Sequence, residues 1–109
     1  MNKVFLKYCD GSGHQGSNTA AINYKDTKLY FRGSNITIAQ FESLDKRYGL
    51  FSNSSKIIVS GGSAGGLASF LWTEYVHSKA SGASVYGVPD SGLFLDSPNF
   101  QTKTNIYSL

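Results

Sequence analysis

Cysteine is nearly missing from this chain: Cys9 is the only one among 109 residues. A lone thiol cannot close an internal disulfide, and no Cys/His spacing matches a zinc site, so no metal or cofactor is implied. Long apolar runs are missing as well. The longest aliphatic run, Ile57-Ile58-Val59, falls far short of the roughly 20 residues that span a bilayer. Met1-Asn2-Lys3-Val4-Phe5-Leu6-Lys7 holds too short an apolar stretch for a signal peptide. Charge is sparse and scattered: ten Lys+Arg against seven Asp+Glu give a net +3. No basic stripe forms, which argues against a nucleic-acid partner. Repeats and low-complexity tracts are also absent. What the chain does have is a 40% hydrophobic fraction against 16% charged, the balance of a globular α/β-type domain rather than of disorder. Its length allows one domain.

Glycine is the informative residue, because twelve of them gather at punctuation points. Lys3-Val4-Phe5-Leu6-Lys7-Tyr8 reads as a short strand opening into a glycine-rich loop over residues 9–18. Leu29-Tyr30-Phe31-Arg32 reads as a second short strand or an extended lead-in. Beyond Gly33, Ser34 is placed to cap a helix. Ile38, Phe41, Leu44 and Tyr48 recur on one face of that helix, and Gly49 stops it. Lys56-Ile57-Ile58-Val59-Ser60 is a β-branched run suited to a strand buried on both faces of a parallel sheet. The period then changes: Ala68, Leu71, Trp72 and Tyr75 share one side of a helix from about Gly65 to Lys79. Ser84-Val85-Tyr86-Gly87-Val88 is a further strand, and Pro89-Asp90-Ser91-Gly92 a turn. The rhythm is α/β, with a mostly parallel sheet and flanking helices.

One segment can carry chemistry. Gly61-x-Ser63-x-Gly65 between a strand and a helix is a nucleophile-elbow arrangement. A serine at such a turn is strained and exposed above the sheet. The positions two before and two after it approach so closely that a Cβ on either is expected to clash. The same turn aims the Ala64 amide at the place where an oxyanion forms, near the positive end of the helix. Two other readings stay open: Ser63 caps the helix of an unrelated α/β domain, or the turn belongs to a binding module without catalysis. A phosphate loop is not indicated, since no Lys-Ser/Thr pair and no G-x-G-x-x-G register follow the strand.

A serine nucleophile needs a base and an orienting acid. His77 lies fourteen residues beyond Ser63, roughly 20 Å along the helix, on the face opposite Ala68 and Leu71. His14 sits in the first loop, where it could approach the same end of the sheet, but it precedes the serine. Asp90 and Asp96 come at or beyond a strand's C-terminal edge, where α/β sites assemble; Asp90 equally suits a local turn bond. The reading is a nucleophile without its base.

Four motifs in order, Tyr8-Cys9-Asp10-Gly-Ser, Tyr30-Phe31-Arg32-Gly33, Gly61-Gly-Ser63-Ala-Gly65-Gly66 and Asp90-Ser-Gly-Leu-Phe-Leu-Asp96, resemble the pectin acetylesterases and their relative Notum. The resemblance implies an α/β-hydrolase fold and serine carboxylesterase activity on an acylated polysaccharide or an acylated protein. It places the nucleophile at Ser63 and an oxyanion amide at Ala64. The family's triad Asp and His lie beyond the Asp-Ser-Gly motif, so Asp90 does not match the triad acid. Its glycine-rich oxyanion segment precedes the Tyr-Cys-Asp motif, and Cys9 matches a cysteine whose partner lies upstream. Members are secreted, and Asn35-Ile-Thr37 and Asn53-Ser-Ser55 are glycosylation sequons in keeping with that. Residues 1–109 are thus expected to form a single partial domain, the central portion of such an esterase. The portion alone should be inactive and, with bare strand edges, prone to aggregate; the alternative is a catalytically dead carbohydrate- or acyl-binding remnant.

Overall fold

In the computed structural model, which describes residues 1–105, β-branched residues build the central pair of strands. β3 (Lys56–Gly62) and β4 (Ser84–Asp90) run parallel, in register from Lys56↔Ser84 to Gly62↔Asp90. The crossover between them is helix α2 (Ala64–Lys79). Ahead of this unit stand the short antiparallel strands β1 (Ile22–Tyr24) and β2 (Thr27–Leu29) and the helix α1 (Gly33–Tyr48). Two helices with one parallel and one antiparallel two-stranded sheet make a small α/β fold.

Helix α2 uses two faces. Gly66, Ala68, Ser69 and Val76 are buried, and small side chains here let the helix lie close on the strands. Gly87 is required for that approach, because a Cβ there would stand 2.6 Å from Thr73 Oγ1. Trp72 and Tyr75 turn instead toward α1. Their rings lie 5.8 Å from that of Phe41 and 5.4 Å from each other, edge to face. Phe41, Ile57, Val76 and Ala80 form the buried core, with Leu50, Phe51, Val59 and Val85 packed around it. Each aromatic pair adds about 0.5–1.5 kcal/mol beyond its buried area.

Several expectations change. Residues 3–8 are not a strand; only Leu6 reaches the core, and no described strand pairs with the segment. The second short strand covers Thr27–Leu29 rather than 29–32, and it forms a hairpin with β1 around Lys25 (φ 52°). Ser34 does not cap α1. The N-cap is Arg32, and the Ser34 amide and hydroxyl both donate to the Gly16 carbonyl, at 2.9 and 3.0 Å. Gly49 does end the helix, in the left-handed region at φ 67°. The buried residues of α1 are Gly33, Thr37 and Phe41, with Tyr48 73% exposed: the aromatic contacts from α2 reach the helix at Phe41 and not at its last turn. Leu71 is likewise exposed.

The largest correction concerns β3. Ile57 faces α2 and is buried, but Ile58 is 49% exposed, as are Tyr86 and Val88 of β4 to a similar degree. One sheet face is covered and the other is bare among the described residues, so the strand is not buried on both sides. Pro89 and Asp90 belong to β4, paired with Gly61 and Gly62, and the turn begins only at Ser91. No helix among the described residues is long and apolar enough to cross a membrane.

Candidate active site

β3 brings the backbone to Gly62, and a single residue then redirects it into α2. That residue, Ser63, has φ 53° and ψ −117°, a setting that costs a residue other than glycine about 1–3 kcal/mol. Two backbone bonds hold it there. Its amide donates to the Asp90 carbonyl at 3.0 Å, and its own carbonyl accepts the Leu67 amide at 3.0 Å, the first rung of α2. Ser63 occupies the N-cap position, yet its hydroxyl makes no capping bond and the residue is exposed. A capping serine commits its oxygen to a first-turn amide; this one does not, so the helix-capping reading fails.

The flanking glycines are not equivalent. A Cβ on Gly61 would stand 2.5 Å from the carbonyl carbon and oxygen of Gly65, whereas a Cβ on Gly65 would meet nothing within 4 Å. The expected close approach exists, but only the first glycine is sterically required. Ala64 is the first residue of α2. Its amide is one of the first-turn donors that no earlier carbonyl of the helix can satisfy, at the positive end of the helix.

Asp90 ends β4 beside this turn. Its carbonyl holds the Ser63 amide, while its carboxylate accepts the Ser91 hydroxyl at 2.9 Å. Asp96 lies farther on and accepts a bond from the Asn105 side chain at 3.1 Å. Neither histidine is brought to Ser63. His14 stacks on Tyr8 with ring centroids 4.7 Å apart, faces Thr37 Oγ1 at 3.3 Å, and accepts the Trp72 indole N–H on its carbonyl at 3.2 Å. Trp72 lies about 12 Å along the axis from the start of α2. His77 is exposed in the last turn of the helix. Cys9 is an exposed free thiol among the described residues.

Two groupings escaped the sequence reading. In the first, Asp10 Oδ1 accepts the amide and hydroxyl of Ser12, at 3.1 and 2.8 Å, at the start of α1. A Cβ on Gly33 would stand 2.9 Å from Asp10 Oδ1 and collide with Ser12 Oγ. Partial burial alone would raise the Asp10 carboxyl; bonds from Ser12 and from the Gly33 and Arg32 amides outweigh it and hold the group below its usual value. The second grouping joins Gly66 to Gly92. A Cβ on Gly66 would lie 2.8 Å from Gly92 Cα and would run into the Asp90 carbonyl oxygen. The sequence signals for both were the glycines and the four motifs that contain them; what the sequence did not show is which motif meets which. The four sequence motifs are therefore two joints. The Asp10 segment locks onto Arg32-Gly33, and the Ser63 turn locks onto Asp90–Gly92.

Comparison with known proteins bears on the same segments. The family described as Pectinacetylesterase matches residues 1–109. The chain is similar to pectin acetylesterase 5 of Arabidopsis thaliana, 37% identical over 99 residues, which is 90% of this chain and 22% of that protein. Pectin acetylesterases 7 and 11 of the same plant are 37% and 36% identical, each over 86% of this chain and 23% of their own length. The chain spans less than a quarter of the length of these relatives. With all of its 109 residues inside the matched region, the chain belongs to the pectinacetylesterase family.

Proposed function

We infer that Ser63 is the acyl-accepting nucleophile of a serine carboxylesterase that removes acetyl groups from an acetylated polysaccharide of the pectin type. The observation that carries the reading is the Ser63 backbone: a strained residue at a strand–helix junction, with an exposed hydroxyl that caps nothing. A fold keeps such strain where geometry has a use. Membership of a family whose relatives are named pectin acetylesterases supplies the substrate class.

In this reading Ser63 Oγ attacks the acetyl carbonyl carbon and its proton passes to a base. The Ala64 amide donates to the resulting oxyanion. Collapse expels the sugar oxygen, which takes up that proton, and leaves an acetyl-serine. Water then attacks the acetyl carbon, gives one of its protons to the base, and the base passes that proton to Ser63 Oγ as acetate leaves. The positions of His14 and His77, neither beside Ser63, support a base from polypeptide outside residues 1–109, and the family resemblance places the orienting acid there as well. Residues 1–109 are then one partial domain, the central portion of an α/β-hydrolase. A secreted or cell-wall location follows from the same resemblance.

The test is acetate release from acetylated pectin by the natural polypeptide that carries this chain. Ser63→Ala should lower the rate at least about 10³-fold. Undiminished acetate release by that variant would overturn the assignment.

A further inference from the structure

Gly66 and Gly92 are both buried and meet backbone to backbone. A Cβ on Gly92 would stand 2.6 Å from the Leu67 amide nitrogen and would run into the Gly66 carbonyl carbon. The turn that contains Gly92 is shaped by Ser91, at φ 51°, whose hydroxyl donates to Asp90 Oδ1 at 2.9 Å. The same turn begins with the Asp90 carbonyl that accepts the Ser63 amide at 3.0 Å. Contact at Gly92 therefore sets how near the Asp90 carbonyl lies to α2. That carbonyl in turn holds the Gly62–Ser63 peptide plane, and with Ser63 fixed at φ 53° and ψ −117° the orientation of that plane sets where the Ser63 side chain and the next amide, of Ala64, point.

The geometry points to Gly92 as a positioning residue for acyl transfer, one that acts through the Asp90 carbonyl on Ser63 and touches no reacting atom. This rests on Ser63 being the nucleophile. An alanine at position 92 falls short of ordinary contact with the α2 backbone by about 1 Å and must push the turn away by a comparable amount. The bond from the Ser63 amide to the Asp90 carbonyl is then stretched or lost, and the hydroxyl and the Ala64 amide shift relative to each other. Misplacement by about 1 Å costs on the order of 10²-fold in rate. Contacts to a developing oxyanion exist only in the transition state, so the loss falls on kcat and leaves KM in place.

The experiment is p-nitrophenyl acetate hydrolysis by the natural polypeptide that carries this chain, with Gly92→Ala and a control, Gly82→Ala. Gly82 has open space at its Cβ position, so the control should match the parent. Gly92→Ala should lose about 10²-fold in kcat with KM within about threefold, and Ser63 labelling by a fluorophosphonate should slow in parallel. Should Gly92→Ala fail to fold, Ser91→Val decides: a β-branched residue is strained at φ 51° and disturbs the turn from an exposed position, also removing the bond to Asp90 Oδ1. A folded variant of either kind that keeps kcat within about threefold overturns the assignment, as does a loss confined to KM. Failure of the nucleophile reading looks different: the unsubstituted protein then takes no label at Ser63, and the role of Gly92 falls with it.

Discussion

Substituting alanine at Gly61 and, separately, at Gly65 separates two positions that the G-x-S-x-G spacing treats alike. A Cβ on Gly61 stands 2.5 Å from the Gly65 carbonyl carbon and oxygen and 2.9 Å from its Cα. Favourable carbon contacts begin near 3.5 Å, so the shortfall is about 1 Å, and it is against backbone. That backbone cannot retreat freely, since the next residue, Gly66, already abuts Gly92. Overpacking of this kind costs about 1–3 kcal/mol. Alanine at position 65 meets nothing within 4 Å and lies in the first turn of α2, where replacing glycine gains about 0.5–1 kcal/mol. Both changes restrict the unfolded chain equally, so the contrast between them isolates the environment of one methyl group. Urea unfolding of the two variants at unchanged slope m reads it directly. Gly61→Ala should have the lower midpoint and Gly65→Ala a midpoint at or above the parent's. Equal destabilisation, or a Gly61→Ala midpoint equal to the parent's, would refute the reasoning.

Ser63→Gly should raise unfolding stability by up to about 2 kcal/mol while removing esterase activity: glycine adopts φ 53° without the roughly 1–3 kcal/mol of strain, less the roughly 0.4–1 kcal/mol that its freer unfolded chain costs; a denaturant midpoint lowered by that chain cost would show that the position stores no strain. Asp10 should make stability depend on acidity. Its folded carboxyl lies below the usual value, so its contribution is fully present above the unfolded value near 3.9 and is lost as pH falls through the folded one. Asp10→Asn should therefore be less stable than the parent at neutral pH, and the gap should close in strong acid. A gap that stays constant from pH 7 to pH 2 would remove the assignment. Residues 1–109 expressed by themselves should self-associate, since Ile58, Tyr86 and Val88 leave one sheet face bare. Sedimentation as a stable monomer would contradict this.

The strand–helix–strand unit was legible because its signals are local. A β-branched run, a switch from period 2 to period 3.6, and glycines at the boundaries mark β3, α2 and β4 within a residue or two. The β1–β2 hairpin was not, because its turn is Lys25-Asp26 and carries neither glycine nor asparagine. Residues 3–8 have strand composition, but composition does not supply a partner. The face of α2 was misjudged in part, for a related reason. Ala68 is buried and Trp72 and Tyr75 pack on the core as expected, but hydrophobicity alone also grouped the exposed Leu71 with them and passed over Ser69 and Val76, which close approach to the strands buries. At the site, the sharp strand-to-helix turn at Ser63 follows from its spacing. That Gly65 is open where Gly61 is crowded does not, nor does the contact between Gly66 and Gly92. Residues so far apart in the chain meet only once the register of β3 on β4 is set. Ser34 illustrates the same limit: its type suits a cap, and the Gly16 carbonyl claims both of its donors instead.

Covalent capture tests the proposed nucleophile most directly. The natural polypeptide carrying this chain is treated with a fluorophosphonate and its peptides are mapped by mass spectrometry. A single adduct on the Ser63 hydroxyl, abolished in Ser63→Ala, is the predicted result. An adduct on another residue, or none from a preparation that still cleaves acetyl esters, would contradict it.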